Sequence, residues 1–384
     1  STCSGRSSAE MDGVPSARAL ARVSLGAVGD NCRALRGRLT GGAELCVVVK
    51  ADGYGHGAVE CARAAQEAGA TWLAVAAAGE AARLRAAGVR GPLLTMGSLT
   101  RDETATALGA DADVVVWEPA YAHALAERVG AGPPARVHVK LDTGMGRLGT
   151  ADPERALAVA RIVAEDPRLA LVGAMTHFAT ADERGDEFFP AQLRRFADFA
   201  AALRAEHPGV ILHAANSAAT MRDPASHFDM VRCGVAVYGL DPFQGDPADS
   251  GLRPALTLES TVGAARRFAA GTSAGYGRRW AAERDTVVAT LPIGYGDGWR
   301  RALTNDCDVL IGGRRHPLVG TVSMDNVTVD VGPAATVTPG DLAVLIGTQG
   351  GERILCEEVA RRIGTINYEI TCGLTARVPR TYEP

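Results

Sequence analysis

The chain has 384 residues, of which 47% are hydrophobic and 22% charged, and it carries a formal net charge of -4. That length supports a large domain plus a smaller one, each with its own core. The mild acidity argues against a nucleic-acid or anionic-membrane surface, no apolar run reaches the length of a bilayer span, and a small-molecule site is favoured.

Residues 1–13 are small and polar and lack the apolar core of a secretory signal, so they read as a mobile tail on a cytoplasmic protein. Arg18 to Leu25 alternates like a strand but precedes the repeating part of the chain, which suggests pairing with the C-terminal part. From Leu45 to about Leu240, short apolar runs alternate with alanine-rich helical segments at the spacing of βα units. Eight strands can be counted: Leu45–Val49, Trp72–Val75, Pro92–Met96, Asp113–Val116, Val137–Leu141, Leu171–Thr176, Ile211–Ala214 and the stretch around Met230–Val231. A typical intervening helix is Pro190 to Glu206, where Leu193, Phe196, Ala200 and Leu203 share one face. Eight units and the absence of GxGxxG after the first strand favour a closed (β/α)8 TIM barrel over a doubly wound sheet. Beyond the Pro/Asp/Gly-rich stretch Gly245 to Gly251, alternating β-type runs dominate, with one helix expected within Ile354 to Ile363. The expected organisation is therefore a tail over 1–13, an α/β barrel over 14–244 and a mostly β domain over 245–384. The eight cysteines form no CxxC pair and have no histidine-rich spacing, so they read as reduced core residues, with no disulfide framework and no metal site.

Barrel enzymes place their chemistry just after the strands. Here those positions hold Lys50, within Val47-Val48-Val49-Lys50-Ala51-Asp52-Gly53-Tyr54-Gly55-His56-Gly57; Arg147, within Asp142-Thr143-Gly144-Met145-Gly146-Arg147; His177; Asn216 with Ser217; and Arg232, followed by Cys233-Gly234-Val235. A lysine delivered by a buried strand into a glycine-rich turn can lose hydration and become a neutral nucleophile, the form that condenses with an aldehyde. Taken singly, each residue also has an ordinary structural reading: a solvated strand-capping lysine, a surface loop arginine, a core histidine, a helix N-cap at Ser217.

The lysine undecapeptide, DTGMGR and RCGVAVYG together resemble the alanine racemases, which are pyridoxal 5'-phosphate enzymes, and the matches extend over almost the whole chain. The resemblance implies a barrel that binds the cofactor and a β domain behind it. It makes Lys50 the cofactor lysine and one catalytic base, and Tyr276, in Ser273-Ala274-Gly275-Tyr276-Gly277, the second base on the opposite face of the substrate. An unperturbed phenol ionises only at about pH 10, and the resemblance assigns His177, backed by Arg232, to assist it. Arg232 would meet the pyridine nitrogen; Tyr54, Asn216, Ser217, Gly234, Val235 and Tyr368 would hold the cofactor, chiefly its phosphate. Arg147 would contact both cofactor and substrate carboxylate, with the Met324 amide and Tyr295 on the substrate side. Lys140 matches a lysine carbamylated in many members, and reads otherwise as an outward-facing strand lysine. Asp52 and Gly53 stand where Asn and Ala are common, and Ser323 where Cys is common; no reacting group is lost.

The implied function is interconversion of L-alanine and D-alanine by two bases, supplying D-alanine for the bacterial cell wall, in a homodimer with shared active sites. The alternative is a broad-specificity amino-acid racemase of the same fold. Barrel-only pyridoxal-phosphate carriers lack the β domain, and barrel decarboxylases carry GGG and EPGR elements that are absent here.

Overall fold

The structure, a computed structural model, describes residues 17–384; the expected tail over 1–13 lies outside them. The described chain forms two compact units, one of residues 26–253 and one made of the residues before 26 together with Pro254–Pro384.

The first unit is a closed barrel of eight parallel strands. After β1 (Ala19–Ser24), which belongs to the other unit, these are β2 (Glu44–Val48), β3 (Trp72–Val75), β4 (Leu93–Thr95), β5 (Asp113–Val116), β6 (Ala135–Lys140), β7 (Leu169–Met175), β8 (Ile211–His213) and β9 (Met230–Cys233). They are the strands expected from sequence, shifted by at most a few residues at their ends. Closure is made by β2, which pairs with β3 on one side and β9 on the other, so Cys46 sits in register with both Trp72 and Arg232. Most of these strands are short and buried along their length, which is why they read as continuous apolar runs rather than alternating ones.

Helices follow from local signals. Thr100 caps Arg101–Gly109 and Glu103 reaches back to the Thr100 N–H at 2.9 Å, a capping box. The long helix Phe188–Glu206 begins two residues before Pro190, leaving the proline in the first turn where its missing N–H costs nothing. Of the expected face it buries Phe196, Ala200 and Leu203 and leaves Leu193 half-buried, while Phe189, Gln192 and Phe199 join the buried side. No α-helix follows β9; a 3₁₀ turn, Val235–Tyr238, stands there. The position is covered by the helix Leu25–Arg36, whose Asn31 amide donates to Val237 O and Arg253 O and accepts from Arg253 N.

Those bonds also place the boundary. The stretch 245–251 was expected to be a linker opening the β domain, with the barrel spanning 14–244. Instead Asp241 accepts from Gly245 N and Ser250 Oγ, and Arg38 donates to Ser250 O, so the stretch is fastened to the barrel unit, which ends at Arg253. At the other end, β1 pairs antiparallel with Leu256–Thr261 and parallel with Arg380–Glu383. The segment before 26 is therefore part of the β unit.

In that unit a ten-stranded sheet runs in the order Ala264–Phe268, Thr286–Leu291, Val327–Gly332, Arg314–Val319, Asp308–Ile311, Leu342–Gln349, Leu256–Thr261, β1 and Arg380–Glu383, with Glu352–Ile354 added to Leu342–Gln349. The expected helix is Cys356–Arg362, and Asn367–Cys372 follows it. Among the described residues no helix is long and apolar enough to cross a membrane, no His/Cys/Asp/Glu group could hold a metal ion, and seven cysteines are free, six of them buried.

Candidate active site

Lys50 follows β2 directly and opens a turn of unusual hand. Ala51, Asp52, Gly53 and Tyr54 all have φ between 50° and 62°, a left-handed turn in which three residues are not glycine. Each such residue costs roughly 1–2 kcal/mol, so the surroundings must hold it. Gly53 N donates to Val49 O at 2.9 Å and Gly57 N to Asp52 O at 2.8 Å. Ala51 N donates to Glu80 at 2.6 Å, and the other Glu80 oxygen accepts from Ala76 N and Ala77 N, pinning the turn to the loop after β3. Asp52 accepts from Ala58 N and pairs with Arg83 at 2.6 Å. Tyr238 donates to Val48 O at 2.9 Å while His56 stacks on its ring. The half-buried Lys50 is thus presented from a backbone fixed on several sides.

Arg232, on β9, is 3% exposed. One terminal nitrogen donates to Thr176 O at 2.7 Å and Ala214 O at 3.0 Å and lies 3.2 Å from His177 Nδ1; the other lies 3.0 Å from His213 Nδ1. Its Nε is buried with no acceptor among the described residues. Burial lowers the guanidinium to about 10, still charged at neutral pH. Loss of water contact, then the charges of Arg232, Lys140, Arg147 and Lys50, drive His177 well below the ordinary histidine range. His177 is therefore neutral. Since a guanidinium can only donate, Nδ1 of His177 accepts and Nε2 carries the proton.

Lys140 ends β6 and is 4% exposed; burial, reinforced by Arg232 and Arg147, brings its amine down to about 8. The outward-facing reading fails, because β6 is a barrel strand whose last residues are enclosed. After it, the Asp142 carboxylate accepts from Gly144 N, Met145 N and Gly146 N at 2.7 to 2.9 Å, folding the glycine-rich loop that presents the exposed Arg147.

A cradle of donors lies beyond β8 and β9. Ser217 Oγ accepts from Gly234 N at 3.1 Å and Ala236 N at 3.4 Å, with Val235 between them, while Asn216 caps the turn from 217 by accepting from Ala219 N. A Cβ on Gly234 would lie 2.3 Å from the Tyr54 hydroxyl, so only glycine lets that hydroxyl reach the cradle. Amide and hydroxyl donors converging in this way suit an anion such as phosphate.

The remaining expected residues lie on the β unit. Tyr276 sits in a 3₁₀ turn and is 74% exposed; its carbonyl accepts from Thr321 Oγ1 at 2.7 Å. Tyr295 N donates to Ser323 O and Gly296 N to Met324 O, so Tyr276, Tyr295 and Met324 border one stretch, 320–324. Asp297, buried beneath, accepts from Gly294 N and pairs with Arg18 and Arg377. The helix bearing the half-buried Tyr368 ends against the same turn, where a Cβ on Gly298 would meet Gly373 O at 2.3 Å. The barrel unit gathers Lys50, Tyr54, Lys140, Arg147, His177, Asn216, Ser217, Arg232, Gly234 and Val235; the β unit gathers Tyr276, Tyr295, Met324 and Tyr368. Sequence reading missed His213, Glu80 and Tyr238, of which only Tyr238 stood inside a quoted motif.

Comparison with known proteins agrees over nearly the full length. The family model "Alanine racemase, N-terminal domain" matches residues 23–242 and "Alanine racemase, C-terminal domain" matches 255–382. The alanine racemase of Symbiobacterium thermophilum is 44% identical over 368 residues, covering 94% of this chain and 96% of its own. That of Frankia casuarinae is 44% identical over 375 residues, covering 95% and 96%. The crystal structure of alanine racemase from D-cycloserine-producing Streptomyces lavendulae superposes with a TM-score of 0.91 at 39% identity, covering 96% of this chain and 98% of that one. The chain belongs to the alanine racemase family and is an amino-acid racemase.

Proposed function

We propose that the chain interconverts L-alanine and D-alanine with pyridoxal 5'-phosphate as cofactor, using Lys50 and Tyr276 as bases on opposite faces of the substrate Cα. The observation that carries this reading is the buried Arg232 Nε, a charged donor lacking an acceptor close to the neutral His177. Such a donor needs an acceptor, and a pyridine nitrogen is one. The other parts fit as well: a lysine amine, and donors from Tyr54, Ser217, Gly234, Val235 and Tyr368 for a phosphate, with Asn216 shaping the turn. When bound, pyridoxal phosphate supplies an aldehyde for the Lys50 amine and an electron-withdrawing ring that makes the Cα proton of an amino acid removable.

Arg232 stays a hydrogen-bond donor, because a guanidinium near 10 keeps its proton at neutral pH. Arg147 binds the substrate carboxylate together with the Met324 amide, and Tyr295 lines the entrance. Lys50 exchanges the proton on the D face and Tyr276 on the L face, assisted by the Nε2 proton of His177. At a value of about 8, roughly a tenth of Lys140 is uncharged at pH 7. That form would add carbon dioxide through a new N–C bond, releasing one amine proton to water, and Arg232 and Arg147 would hold the carbamate's negative charge.

The exposed Tyr276 and Met324 support a homodimer in which each β unit completes the partner's barrel site. We place the reaction in the cytoplasm, with D-alanine passing to cell-wall synthesis. The test is the absorbance of the bound cofactor followed by chiral analysis of alanine, serine and larger amino acids. Racemisation of alanine with poor turnover of larger side chains is expected; equal rates on all would replace alanine by a broad specificity.

A further inference from the structure

Arg232 is the end of a buried chain that crosses the barrel. Its guanidinium lies 3.0 Å from His213 Nδ1; His213 Nε2 lies 2.8 Å from His138 Nδ1; His138 Nε2 lies 3.1 Å from Asp113 Oδ2; and Asp113 Oδ1 accepts from Arg136 Nε at 2.5 Å. Asp113, His138 and His213 are fully buried. Room for the chain is built into the sheet, since a Cβ on Gly173 of β7 would fall 2.2 Å from His138 Nδ1, and Trp72 closes on His138 edge-on at 5.7 Å. At the barrel base, Asp113 and Arg136 line a cavity of about 600 Å³.

The two ends dictate every proton between them. Arg232 can only donate, so His213 Nδ1 accepts and Nε2 carries hydrogen. His213 Nε2 then donates to His138 Nδ1, and His138 Nε2 donates to the carboxylate. We propose that Asp113 and His138 are positioning residues that, through His213, lock both histidines in the Nε2–H tautomer and so hold Arg232 in the orientation that leaves its Nε free for a ligand acceptor. The logic is that of a carboxylate orienting an imidazole, extended by one ring. Burial and the Arg232 charge keep His213 well below the ordinary histidine range, so its ring stays neutral. The consequence for turnover rests on the function proposed above; the tautomers do not.

Asp113→Asn should reverse the chain. Arg136 Nε is an obligate donor, so the side-chain carbonyl of the introduced asparagine must face it and the amide NH2 must face His138 Nε2. That nitrogen becomes an acceptor, both histidines shift to Nδ1–H, and His213 then presents hydrogen to hydrogen at Arg232. Adding Arg136→Gln frees the asparagine amide to turn over, and the original tautomers should return. The measurement is 15N NMR of histidine-labelled protein without cofactor: wild type, Asp113→Asn and the double variant. Nε2–H at both positions in wild type, Nδ1–H in the single variant and recovery in the double are expected. In the loaded enzyme, kcat should fall about 10- to 100-fold in the single variant, with KM little changed, and recover in the double. Nδ1–H at either histidine of the wild type overturns the proposal without any variant, as do unchanged tautomers in Asp113→Asn. Correct tautomers with no amino-acid turnover in wild type would instead refute the proposed function and leave the relay standing.

Discussion

The two units handle their candidate site residues differently. In the barrel, Arg232 and Lys140 are 3% and 4% exposed and the lysine turn is braced from several sides. On the β unit, Tyr276, Met324 and Tyr295 are 74%, 51% and 41% exposed. Of the five exposed large hydrophobic residues among those described, four, including Ile366, lie on the β unit. The barrel thus holds Arg232 and Lys140 out of water within its own fold, which strengthens their fields and shifts His177 and Lys140 strongly. The β unit presents an aromatic and a thioether side chain to the outside, as a surface does that is finished by something else. On the function proposed above, one half of the chemistry is preorganised by folding and the other would be completed by assembly.

The largest expected effect tests the barrel half. Lys50→Ala should lose the covalent cofactor absorbance band and cut racemisation by roughly 10³- to 10⁴-fold. Borohydride reduction and peptide mapping should label Lys50 in the wild type; a label on another lysine would refute the assignment. Tyr276→Phe separates the halves more finely. Racemisation should fall by on the order of 10²- to 10³-fold, yet D-alanine in deuterated water should still exchange its Cα hydrogen through Lys50, with its configuration kept. Loss of exchange along with racemisation would deny the division of labour. Arg232→Glu comes next, with a decrease of about 10²-fold expected for loss of a buried charged donor. An unchanged rate would mean Arg232 does not face the cofactor.

The smallest effect is thermodynamic. Lys140 has its amine lowered from the ordinary lysine value of 10.5 to about 8, chiefly by burial. Between those values the unfolded chain holds a proton the folded chain has released, so this residue's contribution rises with pH across that window. Its penalty, about 3 kcal/mol, is fully present below pH 8. In carbonate-free buffer, Lys140→Met should melt higher than wild type at pH 7, and the gap should close towards pH 10.5. A gap independent of pH would show that Lys140 is not titrating in the folded barrel.

Much of this was legible in the residues because burial on both faces writes a simple code. Val47–Val49 and Val114–Val116 could only be enclosed strands, and the chemistry follows their ends. Alternation in 18–25 likewise revealed β1, but its parallel partner Arg380–Glu383 lies at the far end of the chain, beyond any local signal. The glycines of the lysine turn announced unusual backbone; that Ala51, Asp52 and Tyr54 would share the left-handed region did not show, because Glu80 and Tyr238 enforce it from elsewhere. His138 and His213 stayed hidden for the same reason. Within an apolar strand a histidine looks like any core histidine until the barrel closes and brings two of them to 2.8 Å.

The claim that the chain's site is completed by assembly is tested most directly by mixing two inactive proteins, Lys50→Ala and Tyr276→Phe, under conditions of subunit exchange. If each site takes its lysine from one subunit and its tyrosine from the other, a hybrid dimer carries one doubly defective site and one intact site. Activity should then return to about one quarter of wild type by random pairing. Confirmed exchange with no return of activity would show that Tyr276 acts within its own chain, and would contradict the account.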